Sequence, residues 1–437
     1  MYCLSLQTTP DLLALHASDP ARFPALAETG GGHAGWDILF ALPRERRIYA
    51  EDEGDAFVRD LRELPLNLNL ARPEDLPADA PFVGGWFAYA GYELLSTFEP
   101  HVAHRLEAGF PVAALLRIPA AIVLQRPSGQ AWLVAETLEE LEMLAEKLAA
   151  CPVFKPALPQ IAAISEDEPA AFLQGAEQAL IYIREGDVFQ VNLSRGWDVQ
   201  LAQPLSPAEL FASLRVRNPA PFSTLLDLGV HGAVVSSSPE RLVKVKGDQV
   251  ETRPIAGTHP RSSDPIEDAE LKARLLATPK ERAEHIMLVD LERNDLGRIC
   301  QPGTVKVDEL MAVATYAFVH HIESNVRGTL TPGQTPADVL RALFPGGTIT
   351  GCPKVRCMQI IRELEDRPRY AYTGSLGYVN LDGSMDLNIL IRTFLQKQDH
   401  LYFRAGAGIV IDSDPERELQ ETRHKARGLL RALGVQE

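Results

Sequence analysis

A chain of 437 residues with 46% apolar and 23% charged content has the make-up of a large folded protein, which excludes disorder and collagen-like repeats. Its formal net charge of −16 speaks against nucleic acid as a partner, since phosphate binding needs concentrated Lys and Arg. It has no run of about 18 uncharged apolar residues and its N-terminus lacks a signal-peptide pattern, so a cytoplasmic protein with no membrane contact is expected.

Short strands punctuated by Pro and Gly are expected first, among them Trp36 to Leu42 and Val83 to Tyr89. A helix follows from about Leu138 to Ala150, with Leu141, Leu144, Ala145 and Leu148 at helical spacing. The segment from Pro152 to Glu168 carries repeated prolines and an acidic run. It reads as a linker or crossover, placing a boundary near residue 160 between a supporting region, 1–160, and a catalytic region, 161–437. An amphipathic helix over Pro169 to Gly186 then leads into a strand over Asp187 to Ser194. Beyond it strands and helices alternate irregularly, without a repeat or a regular βαβ series, which points to an α+β fold.

Several residues in this second part carry chemistry. Glu240 ends the turn-rich segment Ser236-Ser237-Ser238-Pro239-Glu240, where a buried carboxyl with a raised pKa could protonate a departing hydroxyl; a salt bridge to Arg241 is the structural alternative. Glu281 and Glu284 share one face of a helix between Lys280 and Asp295, and Glu418, Glu421 and Lys425 share one face of a later acidic helix. Each helix is also readable as a solvated surface with charge pairs. His320 and His321 are neighbours in a strand and point to opposite faces, so only one can meet a substrate. The loop Phe344-Pro345-Gly346-Gly347-Thr348-Ile349-Thr350-Gly351-Cys352-Pro353-Lys354 brings backbone towards a small anion, but Cys352 and Pro353 separate the last glycine from the lysine, unlike a nucleotide-binding loop. Arg392, inside the apolar segment Ile389 to Thr393, needs a buried anionic partner. Gly406 and Gly408 lack the third glycine and following βαβ unit of a dinucleotide site. The five cysteines form no CxxC pair and fit reduced thiols.

Five strings occur in register: Ser238-Pro239-Glu240-Arg241-Leu242, Arg253-Pro254-Ile255-Ala256-Gly257-Thr258, the helix from Ala283 to Asp295, the glycine loop, and Ala405-Gly406-Ala407-Gly408-Ile409-Val410. Together they resemble the chorismate-utilising enzymes: component I of anthranilate synthase, component I of aminodeoxychorismate synthase, and the isochorismate and salicylate synthases. The resemblance is strong from about Ala170 to Gly434 and looser over the first 150 residues. It implies two large antiparallel sheets with helices outside. It also implies Mg²⁺ bound by Glu284 and Glu421, with Glu281 and Glu418 supporting it through water. Glu240 would be the general acid for loss of the 4-hydroxyl of chorismate, and His321 the active-site histidine. Arg392, Tyr372, Lys425 and the backbone around Gly406 and Gly408 would hold the pyruvyl carboxylate, with Thr348 and Thr350 near the ring.

Within this family, Gln190 stands where the isochorismate and salicylate synthases resemble one another in having a water-activating lysine. That implies amination by ammonia supplied from a separate glutamine amidotransferase subunit. Compact length and the segments Trp36 to Ala41, Val319-His320-His321 and Phe344-Pro345-Gly346-Gly347 resemble the aminodeoxychorismate branch, and the expected product is 4-amino-4-deoxychorismate. Ala256 departs from most of that branch, whose members mostly resemble one another in having a lysine there, towards anthranilate synthase, the alternative. Leu26 to Thr29 loosely resembles the tryptophan-binding segment of regulated relatives.

Overall fold

Strand-forming runs in this chain pair with their neighbours through antiparallel ladders. In the computed structural model, which describes residues 1–102, 109–262, 264–315 and 319–435, they build two antiparallel sheets of twelve and ten strands with helices packed outside. Strands from both sides of residue 160 share each sheet. Ala25–Glu28 pairs with Phe222–Asp227 in the first, and Gly85–Ala90 pairs with Ser375–Asn380 in the second. Among the described residues, no helix is long and apolar enough to cross a membrane.

The segment expected as a linker is not all loop. Ile161–Glu166 is a strand that pairs with the end of Gln190–Leu201, and its mostly exposed residues gave no alternating pattern to read. After it, helix Pro169–Glu185 buries Phe172, Ala176, Ala179 and Leu180 against the strand Gln190–Leu201, which runs further than the sequence suggested. Val191 and Leu193 enter that helix-covered core, so Gln190, Asn192 and Ser194 turn to the opposite face. The partner strand His400–Val410 follows the same rule: Ala407 and Ile409 are in the core, and Gly406 and Gly408 lie on the other face.

Two crossings between the sheets position the site. The chain leaves the first sheet after Ala233–Ser238 and enters the second at Arg241–Lys246; it returns from Met385–Ile389 to Thr393–Lys397. The crossings run side by side, because Ser236 pairs with Thr393 in one sheet and Arg241 with Asn388 in the other. Arg392 therefore lies in a crossing and not within a strand. Elsewhere the space between the sheets is filled by apolar side chains, including Phe40, Phe87, Leu226, Val234 and Leu390.

Candidate active site

Glu240 sits in the first crossing and is 6% exposed. Burial pushes its pKa up to about 7, against the opposing effect of a hydrogen bond from the Thr348 hydroxyl at 2.7 Å and another from the backbone of Ile255. Arg241 does not pair with it, since its guanidinium is 2.8 Å from Asp386. A carboxyl in this state is protonated near neutral pH and can act as a general acid.

Arg392 occupies the adjacent crossing, where its carbonyl accepts from Ser237 at 3.1 Å and the amide of Ile389 donates to the Glu240 carbonyl at 3.0 Å. Its φ of 53° is a left-handed conformation that non-glycine residues seldom adopt, a form of local strain that persists where surrounding structure enforces it. The guanidinium makes no hydrogen bond or ion pair among the described residues. Burial lowers its pKa, and Glu240 is the charge that opposes the shift. An interior arginine in this condition is suited to a bound carboxylate.

His321 is 4% exposed on strand Val319–Thr329, with Nδ1 3.1 Å from the carbonyl of Gly257. Nδ1 must carry the proton to make that bond, so Nε2 is the basic nitrogen. Burial lowers its pKa to about 4, and the nearby charges of Arg392 and Lys425 lower it too. His320 turns the other way, to Asp268 and Thr315, each at 3.0 Å. The Gly257 carbonyl is aimed by a break in strand register between Ala256 and Thr258, and Gly257 has φ of 59°. A side chain there would also collide with Glu281, whose Oε2 lies 2.7 Å from the position of its Cβ.

Lys425 joins these groups. Its ammonium donates to the Gly406 carbonyl at 3.1 Å, stands 3.5 Å from Glu421, and acts electrostatically on both Glu240 and His321. Tyr372 is buried beside Gly406, and burial raises its pKa to about 12 with Arg369 opposing. Gln190 and Asn192 lie over Gly408 and Gly406. Thr350, expected near the ring, donates its hydroxyl to the Gly346 carbonyl at 2.8 Å and so braces its own loop. The loop lysine, Lys354, is bound to Asp295 in a buried ion pair, which leaves it no phosphate to hold.

Of the four helix carboxylates, Glu281 packs against Gly257, with Glu284 one turn further along Pro279–Gly297. Glu418 accepts from Ser413 at 2.7 Å, and Glu421 is paired with Lys425 on Pro415–Ala432. Among the described residues, no three His, Cys, Asp or Glu side chains are grouped closely enough to hold a metal ion on their own. The donors flanking the site are all carboxylate oxygens, a set that suits Mg²⁺ when substrate and water supply the remaining positions.

Some contributors were not flagged by sequence. Behind the Gln190 strand, Glu365 is 2.6 Å from Arg369 and 3.0 Å from Arg404 and accepts from the Ser194 amide at 2.8 Å. Burial alone would raise its pKa, but the two arginines outweigh it and hold the carboxyl low. Arg369 also donates to the Asn192 carbonyl at 2.8 Å, so this network fixes the strand under the site. Arg404, charged within an apolar strand, was the available signal. Glu292 is a further buried carboxyl, its pKa raised by burial and by Asp295.

A separate cavity of about 550 Å³ opens between the sheets, beside Thr29, Trp36, Phe222, Tyr378 and Asn388. Pro239 and Ile255 reach it from the side of Glu240. The Thr29 hydroxyl donates to the Trp36 carbonyl at 3.0 Å.

A buried carboxyl near a guanidinium that has no partner among the described residues, with a neutral imidazole close to both, suits proton transfer on an anionic substrate. The chain belongs to the family of chorismate binding enzymes, whose model matches residues 28–431. It is 41% identical over 405 residues to an anthranilate synthase component I-like protein of Synechocystis, covering 92% of this chain and 83% of that protein. Anthranilate synthase component 1 of Thermus thermophilus is 41% identical over 380 residues, 84% of this chain and 80% of the relative. The crystal structure of anthranilate synthase component I from Streptococcus pneumoniae superposes with a TM-score of 0.79 at 31% identity, covering 90% of this chain and 92% of that one. The same fold appears in a menaquinone-specific isochorismate synthase from Escherichia coli, with a TM-score of 0.77 and 22% identity over 99% of this chain and 94% of the other.

Proposed function

We propose that this chain is the chorismate-converting component of an anthranilate synthase, turning chorismate and ammonia into 2-aminobenzoate, pyruvate and water. The observation that carries the reading is Ala256 followed by Gly257. A methyl group at 256 offers no amine to occupy C2 of the ring, and the next carbonyl sets the His321 tautomer. The names of relatives at 41% identity support the same branch. The 4-amino product expected from the segments around Trp36, His321 and Phe344 has less support, since its branch resembles a lysine-dependent chemistry that Ala256 does not supply.

In this reading Arg392, Tyr372 and Lys425 hold the pyruvyl carboxylate while Glu240 protonates the 4-hydroxyl, which leaves as water. Ammonia adds at C2. His321 Nε2 then takes the C2 proton as the C3–oxygen bond breaks, and the departing enolpyruvate gains a proton at its methylene to become pyruvate. Glu284 and Glu421, with Glu281 and Glu418 behind them, would hold Mg²⁺, which when bound neutralises the ring carboxylate as charge builds beside it. Residues 161–437 supply the chemistry and 1–160 support it. A separate glutamine amidotransferase subunit in the cytoplasm supplies ammonia from glutamine; free ammonium replaces it in the assay.

Incubation of the chain with Mg²⁺, ammonium and chorismate, followed by chromatographic separation of the two aminobenzoates, tests the proposal. 2-Aminobenzoate is expected without any added lyase. Appearance of 4-aminobenzoate only after addition of a lyase would return the chain to the other branch.

A further inference from the structure

Glu292, near the end of the helix Pro279–Gly297, is 4% exposed, and no step of the proposed reaction uses it. Its carboxyl accepts a hydrogen bond from the Thr252 hydroxyl. Its Oε1 also lies against the glycine loop, where a Cβ at Gly347 would stand 3.2 Å away. Each of these contacts is made to a segment that ends on Glu240. Thr252 closes the strand Gln249–Thr252, and three residues further on the backbone of Ile255 donates to Glu240. Gly347 is followed directly by Thr348, whose hydroxyl donates to Glu240 Oε1 at 2.7 Å. Glu292 therefore touches both segments that bring donors to that carboxyl.

The charges that face Glu292 come from three elements. Asp295, one turn along its own helix, is bound in a buried ion pair to Lys354 of the helix Lys354–Leu364 and also faces Arg298, while Glu240 stands in the crossing. Lys354 is thus committed to one carboxylate, and a second anion beside it would be buried next to a like charge. Burial and Asp295 accordingly push the pKa of Glu292 up to about 8, Glu240 adding to the rise and Lys354 opposing it. Glu240 in turn faces Glu323, which raises its pKa, and Lys425, which lowers it. At neutral pH Glu292 is a neutral acid, able to accept from Thr252 without placing a charge against the loop.

We propose that Glu292 is a positioning residue for the Glu240 acid, fixing through Thr252 and Gly347 the two segments whose donors reach that carboxyl. The inference rests on the role of Glu240 in the amination reading above and adds the group that aims it. Glu292→Leu removes the oxygens that meet Thr252 and Gly347. In the full chain with Mg²⁺ and ammonium it should lower kcat about tenfold and leave the KM for chorismate near that of the parent. With its donors loosened, Glu240 should also lose its proton at higher pH. Infrared spectra read this as the loss of its protonated-carboxyl band, assigned by the absence of that band in Glu240→Gln. Glu292→Gln keeps an acceptor for Thr252 and has no proton to lose, so it should restore kcat and the Glu240 midpoint. Its pH profile should differ from the parent's at constant free ammonia. Above about pH 8 the parent's kcat/KM for chorismate should fall about a hundredfold per pH unit, because both carboxyls must keep their protons, and that of Glu292→Gln about tenfold. A parent-like kcat and Glu240 midpoint in Glu292→Leu overturns the inference, and so does an equal loss of kcat in both variants or a hundredfold slope retained in Glu292→Gln. If the leucine variant does not fold, that slope decides alone. A parent chain that aminates no chorismate ends the amination reading, and the Glu240 midpoint then decides the positioning by itself.

Discussion

The Thr348 hydroxyl donates to Oε1 of Glu240 at 2.7 Å, across 108 residues of sequence, and this bond orients the carboxyl proposed as the general acid. A second hydrogen bond, from the backbone of Ile255, also reaches the carboxyl. The Thr348 bond lowers the pKa of Glu240 against the larger effect of burial. Thr348→Val removes it without changing side-chain shape. The acid should then hold its proton more tightly, so the alkaline limb of kcat/KM for chorismate, expected near pH 7 in the parent, moves to higher pH at constant free ammonia. Turnover should fall about tenfold, because the acid is both weaker and less well aligned. An unshifted limb would mean that Thr348 does not govern Glu240.

Replacement of Glu240 itself separates chemistry from stability. Glu240→Gln should lower turnover by about 10²–10⁴-fold, the usual worth of a positioned general acid. Its effect on folding should have the opposite sign at high pH. The folded carboxyl has its pKa raised from 4.5 to about 7, so stability is fully present below the lower value and is lost as pH rises to the upper one. Glutamine undergoes no such loss. The variant should melt about 3 °C above the parent at pH 8, with the gap closing by pH 4.5, as read by differential scanning fluorimetry.

Arg392 is predicted to act on binding. Arg392→Lys keeps the charge but not the planar pair of donors, and should raise the KM for chorismate about tenfold. The KM for ammonium should not follow it. Equal changes in both constants would indicate a general disturbance of the crossing and not loss of a carboxylate contact.

The carboxylates on the two flanking helices predict dependence on a divalent cation. Chelation should abolish activity and Mg²⁺ restore it, and Glu284→Gln or Glu421→Gln should each lower turnover by about 10²-fold or more with the thermal midpoint little changed. Full activity in EDTA would remove the metal from the scheme.

The sequence made Glu240 and His321 legible because each lies in a short string whose residues are all recognisable, and strand alternation then assigned the two histidines to opposite faces. Arg392 was legible as a buried charge but not as part of a crossing. A left-handed residue there is enforced by the two sheets around it and carries no glycine or proline to announce it. The strand Ile161–Glu166 was lost because an exposed edge needs no apolar alternation. The network of Ser194, Glu365, Arg369 and Arg404 joins residues far apart in the chain, and only tertiary structure reveals that the charges cancel. The placing of Gln190 and Asn192 over Gly408 and Gly406 likewise depends on how the two strands pair.

The central claim is that nitrogen enters at C2 and pyruvate leaves from the same active site. A time course with nitrogen-15-labelled ammonium, chorismate and Mg²⁺, followed by NMR, measures both events at once. The account predicts labelled 2-aminobenzoate and pyruvate rising together in equal amounts from the first turnover, with no added lyase. Labelled 4-amino-4-deoxychorismate accumulating without pyruvate would contradict it.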